Sequence, residues 1–170
     1  MLKLRKNKKG FTLVELIVVI AIMAVLAGVV AGVTVSQLNK NTDKTNLSQA
    51  KGIADFVAGE IADITNESVY TNGELDATKI KSAILTQYAS VNFKTMTTGT
   101  APNTTTTIAD TPESKGQFAV TVNTTTIGEG ATAKTQVTSI NILYKNKTGS
   151  GDIKGYTVSS EGVITNYPAA

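Results

Sequence analysis

The sequence contains no cysteine and no histidine. Their absence excludes disulfides, thiol nucleophiles, imidazole bases and the usual zinc sites. A catalyst built from the remaining residue types would need a carboxylate pair or a Ser-Lys couple, and no motif singles one out. We therefore predict that the protein is not an enzyme and has no catalytic, cofactor-binding or metal site.

Excess positive charge is confined to the start of the chain. The formal net charge is +3, but five of the sixteen basic residues lie in the first nine positions. Eleven lysines then remain against thirteen acidic residues, so the rest of the chain is near −2. This balance argues against general nucleic-acid affinity. One small group of basic and aromatic residues could still touch DNA: Lys145, Lys147 and Lys154 with Tyr144 and Tyr156. A solvated turn between two strands is the favoured interpretation of this group.

A long apolar run dominates the N-terminal region. Between Leu16 and Val35 the one polar side chain is Thr34. About 20 apolar residues are enough for a helix to cross the hydrocarbon core of a bilayer. Glu15 stands at the front edge of this run, where an ionised carboxylate needs an interfacial position or a cationic partner.

The segment before the run offers such a partner. A basic head of Lys3, Arg5, Lys6, Lys8 and Lys9, which the positive-inside rule keeps cytoplasmic, ends at Gly10. Cleavage after Gly10 would create an α-amine on Phe11, about one helical turn from Glu15. An α-amine with a pKa of about 8 is largely cationic at neutral pH, so the amine of one subunit and the carboxylate of another could pair.

The sequence Lys9-Gly10-Phe11-Thr12-Leu13-Val14-Glu15-Leu16, followed by the apolar helix, resembles the type IV pilin signature. The resemblance covers about 35 residues. It implies cleavage between Gly10 and Phe11 by a prepilin peptidase, N-methylation of Phe11, and contact of Glu15 with the Phe11 amine of an adjacent subunit. It also implies an inner-membrane assembly platform, and a single-pass precursor in the cytoplasmic membrane that later enters an extracellular filament. The lack of the C-terminal disulfide of many such proteins favours a Gram-positive source.

Three functions remain open. We predict a structural subunit of a type IV pilus, polymerised through its N-terminal helix and supporting adhesion, motility or biofilm formation. Pseudopilins of type II secretion machines and competence pilins share the signature and form the first alternative. A singly anchored surface protein is the second, although a plain anchor does not explain Glu15. An ordinary secretory signal is disfavoured because the apolar segment exceeds the usual 7 to 15 residues.

Small residues follow one side of the predicted membrane helix. Ala24, Gly28 and Gly32 fall together at 100° per residue, and Gly28 with Gly32 forms a small-xxx-small pair that permits close helix approach. Many relatives carry a proline near Gly32, and this chain does not.

The predicted organisation has three parts: a cleaved leader at 1–10, a transmembrane or filament-core half-helix at 11–35, and residues 36–170. The third part begins with an amphipathic half-helix to about Thr65, with apolar positions at Leu47, Ala50, Ile53, Val57, Ile61 and Ile64 and a possible bend at Asn39–Asn46. A turn at Asn72-Gly73 and a helix capped by Asp76 follow. The threonine-rich segment 94–115 is predicted to be an exposed loop, open to glycosylation.

Alternation of apolar and polar residues predicts four strands near Phe118–Val122, Ile140–Tyr144, Tyr156–Val158 and Val163–Thr165. The fold class is therefore α+β, with a long apolar helix on a small antiparallel head, as in the pilin ladle fold. The glycine pairs at 128–130 and 149–151 lack the context of phosphate loops and predict turns. Calcium near Asp152, as in some related pseudopilins, is a weaker alternative because one carboxylate is a thin basis for a site.

Overall fold

A computed structural model describes residues 10–98, 105–129, 133–148 and 152–167. The basic leader before Gly10, part of the threonine-rich segment, Gly130 of the first glycine pair and the whole of the second pair at 149–151 lie outside these residues. The chain divides into two compact units, one ending at Leu38 and the other beginning at Asn39. The α+β fold class is confirmed: helices α1 and α2 accompany antiparallel sheets.

Helix α1 spans Leu13–Ile61, 49 residues. It continues through Asn39–Asn46, where a bend was predicted from weak helix propensity. Asp43 and Asn46 are buried against the rest of their unit, and such tertiary contacts override intrinsic propensity. The helix ends four residues before the predicted limit because the Asp63 side chain accepts bonds from Thr65 N at 2.9 Å and Thr65 Oγ1 at 2.6 Å, which forms a turn.

The main sheet has four antiparallel strands in the order β5-β6-β7-β8. They span Phe118–Ile127, Lys134–Lys145, Ile153–Ser159 and Ile164–Tyr167, and they contain the four predicted strand segments except Val163, which lies in the last turn. That turn is closed by Ser159 N donating to Val163 O at 2.9 Å, while Gly162 adopts φ 83°. The predicted C-terminal hairpin is thereby confirmed.

The core lies between the sheet and the second half of α1. The predicted apolar positions Ala50, Ile53, Val57 and Ile61 are buried there, whereas Ile64 is 65% exposed because the helix has already ended. The sheet contributes its inward-facing side chains: Phe118, Val120, Ile140, Ile142, Tyr144 and Val158. Burial of these apolar surfaces supplies the main driving force for folding of this unit.

Helix α2, Ala77–Gln87, follows a short hairpin of β1 (Tyr70–Thr71) and β2 (Glu74–Leu75). Asn72 and Gly73 both have positive φ, 53° and 80°, as a two-residue hairpin turn requires. Asp76 caps the helix as predicted, accepting bonds from Thr78 N at 2.8 Å and Lys79 N at 3.2 Å.

The threonine-rich segment is not simply an exposed loop. It contains the antiparallel strands β3, Thr95–Thr98, and β4, Thr105–Ile108. Ile108 and Ala109 are buried, and Lys94 N donates to Phe118 O at 2.7 Å. The β-branched threonines favour strand conformation, and these contacts fix both ends of the segment to the core.

Candidate functional site

The predicted processing site precedes the first helix. Gly10, Phe11 and Thr12 have no regular secondary structure, and Phe11 is 87% exposed. The first helical bond runs from Leu16 N to Thr12 O at 3.3 Å, so Thr12 occupies the N-cap position. The Gly10–Phe11 peptide therefore lies just outside the helix, in backbone open to solvent.

Thr12 and Glu15 form a reciprocal capping box. Glu15 Oε2 accepts bonds from Thr12 N and Thr12 Oγ1, each at 2.8 Å, and Glu15 N donates to Thr12 Oγ1 at 3.2 Å. This arrangement satisfies free backbone donors at the helix start. A carboxylate in the first turn also interacts favourably with the helix dipole. The assembly role of Glu15 was predicted from the sequence, whereas the capping role of Thr12 was not, although the Thr-x-x-Glu spacing is a recognised signal.

One carboxylate oxygen of Glu15 stays open. Both bonds from Thr12 reach Oε2, and within the described part of the chain no donor reaches Oε1. The capping box thus leaves one anionic oxygen of Glu15 without a donor among the described residues, so this oxygen can still accept a bond from a cationic group. Capping the helix and binding an amine can occur together.

The helix surface from Leu13 to Leu38 is apolar and exposed. Its large side chains are 43–73% exposed. By length and composition α1 is able to cross a membrane. Contiguous exposed apolar surface of this extent marks a membrane or protein contact. Ala24 is exposed, and a Cβ built at Gly28 or Gly32 meets nothing within 4 Å, so nothing within the described chain uses this small-residue side.

Asp43 forms a second polar site, which was not predicted from the sequence. Its carboxylate accepts bonds from Lys147 N at 2.7 Å and Thr148 N at 3.0 Å, and also from Thr148 Oγ1. Tyr144 Oη donates to the Asp43 backbone oxygen at 3.2 Å. These bonds hold the end of β6 and the turn after it against α1. We call this set of contacts the Asp43 clamp.

The clamp is electrostatically favourable. Burial alone would raise the pKa of the Asp43 carboxyl, but hydrogen bonds from Thr148 and Lys147, with the nearby Lys147 charge, outweigh burial and hold that pKa below its usual value. Burial also raises the pKa of Tyr144 to about 12. Tyr144 is 1% exposed, so the basic and aromatic group considered for DNA lacks one of its two stacking surfaces.

The site thus combines an exposed junction at Gly10–Phe11, a capped glutamate and an exposed apolar helical surface. The family model of the prokaryotic N-terminal methylation motif matches residues 5–31. No curated protein and no solved structure matches the chain. The matched motif is structural rather than catalytic, and it includes Gly10, Phe11 and Glu15.

Proposed function

We propose that this protein is a structural subunit of a type IV pilus, cleaved between Gly10 and Phe11 and polymerised through its N-terminal helix. The observation that carries the proposal is the capping box on an exposed apolar helix, directly after the Gly10–Phe11 junction. In the pilus the subunit supports adhesion, motility or biofilm formation. Its partners are other subunits, the prepilin peptidase and an inner-membrane assembly platform.

Cleavage and N-methylation leave a secondary amine on Phe11 that is cationic at neutral pH. In the precursor, the open oxygen of Glu15 requires an interfacial position, since an unpaired carboxylate is costly within hydrocarbon. When a processed subunit joins the filament, the amine of one copy meets Oε1 of its neighbour. The contact neutralises both groups in a low-dielectric setting and sets the axial register of the two helices.

Close helix packing uses the small-residue side. Ala24, Gly28 and Gly32 present little side-chain volume, so another helix can approach there. The bulky residues on the remaining surface fill the gaps between neighbouring helices or face lipid before assembly. The precursor is anchored in the cytoplasmic membrane, and the assembled subunit is extracellular.

Processing is tested by the mass of the N-terminal peptide recovered from sheared surface filaments. We expect a peptide that begins at Phe11 and is heavier by one methyl group. Recovery of an intact leader beginning at Met1, with no protein in the sheared fraction, would contradict the proposal and favour a singly anchored surface protein.

Two substitutions separate the roles of Glu15. Glutamine can replace glutamate in a capping box, so Glu15→Gln keeps the cap and removes the charge, while Glu15→Ala removes both. We expect both variants to be cleaved and both to be lost from filaments. Normal incorporation of Glu15→Gln would exclude the amine contact. Filament length then distinguishes a pilus from the short filament of a pseudopilin.

A further inference from the structure

Charge is unevenly distributed in the unit that begins at Asn39. Tyr144 Oη contacts Asp43, so strand positions near Tyr144 lie at the same end of this unit as Asp43. Among the described residues, seven lysines and three carboxylates occupy this end: Lys40, Lys44, Lys94, Lys115, Lys145, Lys147 and Lys154, with Asp43, Glu113 and Asp152.

The opposite end, near Ile61, is acidic. Gly162 lies beside Ala58, since the point where a Cβ would stand on Gly162 is 3.6 Å from Ala58 O. The β7–β8 turn therefore lies at this end of the unit. Among the described residues, this end has seven carboxylates and two lysines: Glu60, Asp63, Glu67, Glu74, Asp76, Glu129 and Glu161, with Lys79 and Lys134. The net charge of the chain conceals this separation.

Two lysines of the positive end follow the apolar surface immediately. Lys40 and Lys44 lie two and six residues beyond Leu38, about 3 Å and 9 Å along the helix. The headgroup layer on each side of a bilayer is about 5–8 Å thick. The i,i+4 spacing of Lys40 and Lys44 puts them on one face of the helix.

The Asp43 clamp brings two more lysines to this end. It fixes the backbone of Lys147 at 2.7 Å from Asp43, which lies between Lys40 and Lys44 in sequence. The Lys147 side chain passes over Gly116, because the point where a Cβ would stand on Gly116 is 2.7 Å from Lys147 Cε. Lys115 is the neighbour of Gly116 in sequence. We call the exposed surface of Lys40, Lys44, Lys115 and Lys147 the basic end. No ion pair within the described residues involves these four lysines.

We propose that the basic end rests on the phosphates of anionic phospholipids while the subunit is anchored by its apolar helix. The inference rests on the membrane-anchored stage of the proposed function. Connectivity favours lipid over the acidic end of a second copy, because Lys40 and Lys44 cannot be far from the bilayer surface whenever the preceding segment spans it. An acidic end would reach them only at a particular spacing between subunits.

Each lysine near an anionic membrane surface contributes an amount that corresponds to roughly a fivefold change in an equilibrium constant. Replacing Lys40 and Lys44 should therefore lower the ratio of docked to undocked protein by about 25-fold, and the same holds for Lys115 with Lys147. The attraction between the basic end and the lipid phosphates should weaken as salt is added. The loss becomes large once the Debye length is shorter than the distance between the ammonium groups and the phosphates.

Docking is measured on the full chain in vesicles, by energy transfer from a dye on the protein to an acceptor on lipid headgroups. The chain has no cysteine, so Ser114→Cys provides a unique label site beside Lys115. We expect strong, salt-sensitive transfer in vesicles of phosphatidylglycerol and phosphatidylcholine, and weak transfer in phosphatidylcholine alone. Lys40→Gln/Lys44→Gln and Lys115→Gln/Lys147→Gln should each lower it.

Lys134→Gln is the matched control, since it removes one exposed lysine from the acidic end and should leave transfer unchanged. Equal transfer in both vesicle types, or no loss in either double variant, would overturn the proposal. Energy transfer that falls when the protein is diluted in the bilayer, and that is the same in charged and neutral vesicles, would assign the basic end to contact with a second copy. That result would also overturn the proposal. A chain that docks but is never processed would refute the proposed pilus function alone.

Discussion

Removing the Asp43 carboxylate should destabilise the head far more than its position on a long helix suggests. Asp43→Ala deletes the acceptor for Lys147 N, Thr148 N and Thr148 Oγ1. Because Asp43 is only 8% exposed, water cannot fully replace its carboxylate as the acceptor for these three donors. The turn after β6 then loses its attachment to α1.

The expected magnitude follows from the number and type of bonds. A hydrogen bond to a charged group contributes about 1.5–3 kcal/mol, and water replaces part of this because Thr148 is only half-buried. The loss should therefore be about 3 kcal/mol in the free energy of unfolding, not the sum of three full bonds. For a unit of this size that corresponds to a fall in Tm of about 10 °C.

The effect should depend on pH in a defined direction. The folded state holds the pKa of Asp43 below its usual value, so the carboxylate contributes stability above the unfolded pKa of about 4. That contribution is lost as pH falls through the lower, folded pKa. The difference in stability between wild type and Asp43→Ala should thus be full at pH 7 and should narrow in strongly acidic solution.

Thermal unfolding of the full chain in detergent, followed by circular dichroism across this pH range, measures both quantities. Asp55→Asn is the control: its carboxylate pairs with Lys51 at 2.8 Å, but both side chains are about half exposed, so little change is expected. A fall in Tm for Asp43→Ala no larger than that of the control, or one that persists unchanged in acid, would refute the reasoning.

Three further substitutions test other parts of the chain. Gly28→Leu should leave the Tm of the head unchanged because a side chain at Gly28 meets nothing within 4 Å, yet it should reduce filament yield by blocking close helix approach. Gly155→Ala should sharply lower Tm and soluble yield because the new Cβ would lie 1.8 Å from Ile142 O. Gly59→Ala is its control: Gly59 is an open helical site, so this change should raise the free energy of unfolding by roughly 0.5–1 kcal/mol. Thr12→Val should fray the helix start, seen as faster amide exchange there, while cleavage continues; slower exchange would contradict the cap.

Local patterns in the sequence predicted much of this fold. Alternation located strands such as Ile140–Tyr144, and the Asp76 cap located α2, because each depends on neighbours within a few residues. The threonine-rich segment was misjudged because composition alone hides that Ile108 is completely buried. In this segment, burial of the Ile108 side chain and the pairing of β3 with β4 outweigh the polar average composition.

The candidate site divides in the same way. Gly10, Phe11 and Glu15 form a contiguous motif and are visible in the sequence, and Thr12 belongs to the same local pattern. The Asp43 clamp is different, since its partners lie 104 and 105 residues away and two of the three donors are backbone N–H groups. No local spacing marks a lone aspartate as their acceptor.

The same long separation has a consequence for biogenesis. The core-facing side of α1 packs on strands β5 to β7, so its burial requires contacts between residues near position 50 and residues beyond position 118. Such non-local contacts slow folding because a large loop must close before any of them forms. Synthesis makes the helix first and the strands last, so the amphipathic half of α1 must wait for its partners in the core. The core is complete only when Val158 of β7 has been made, and the last part of the chain therefore determines when this unit can fold.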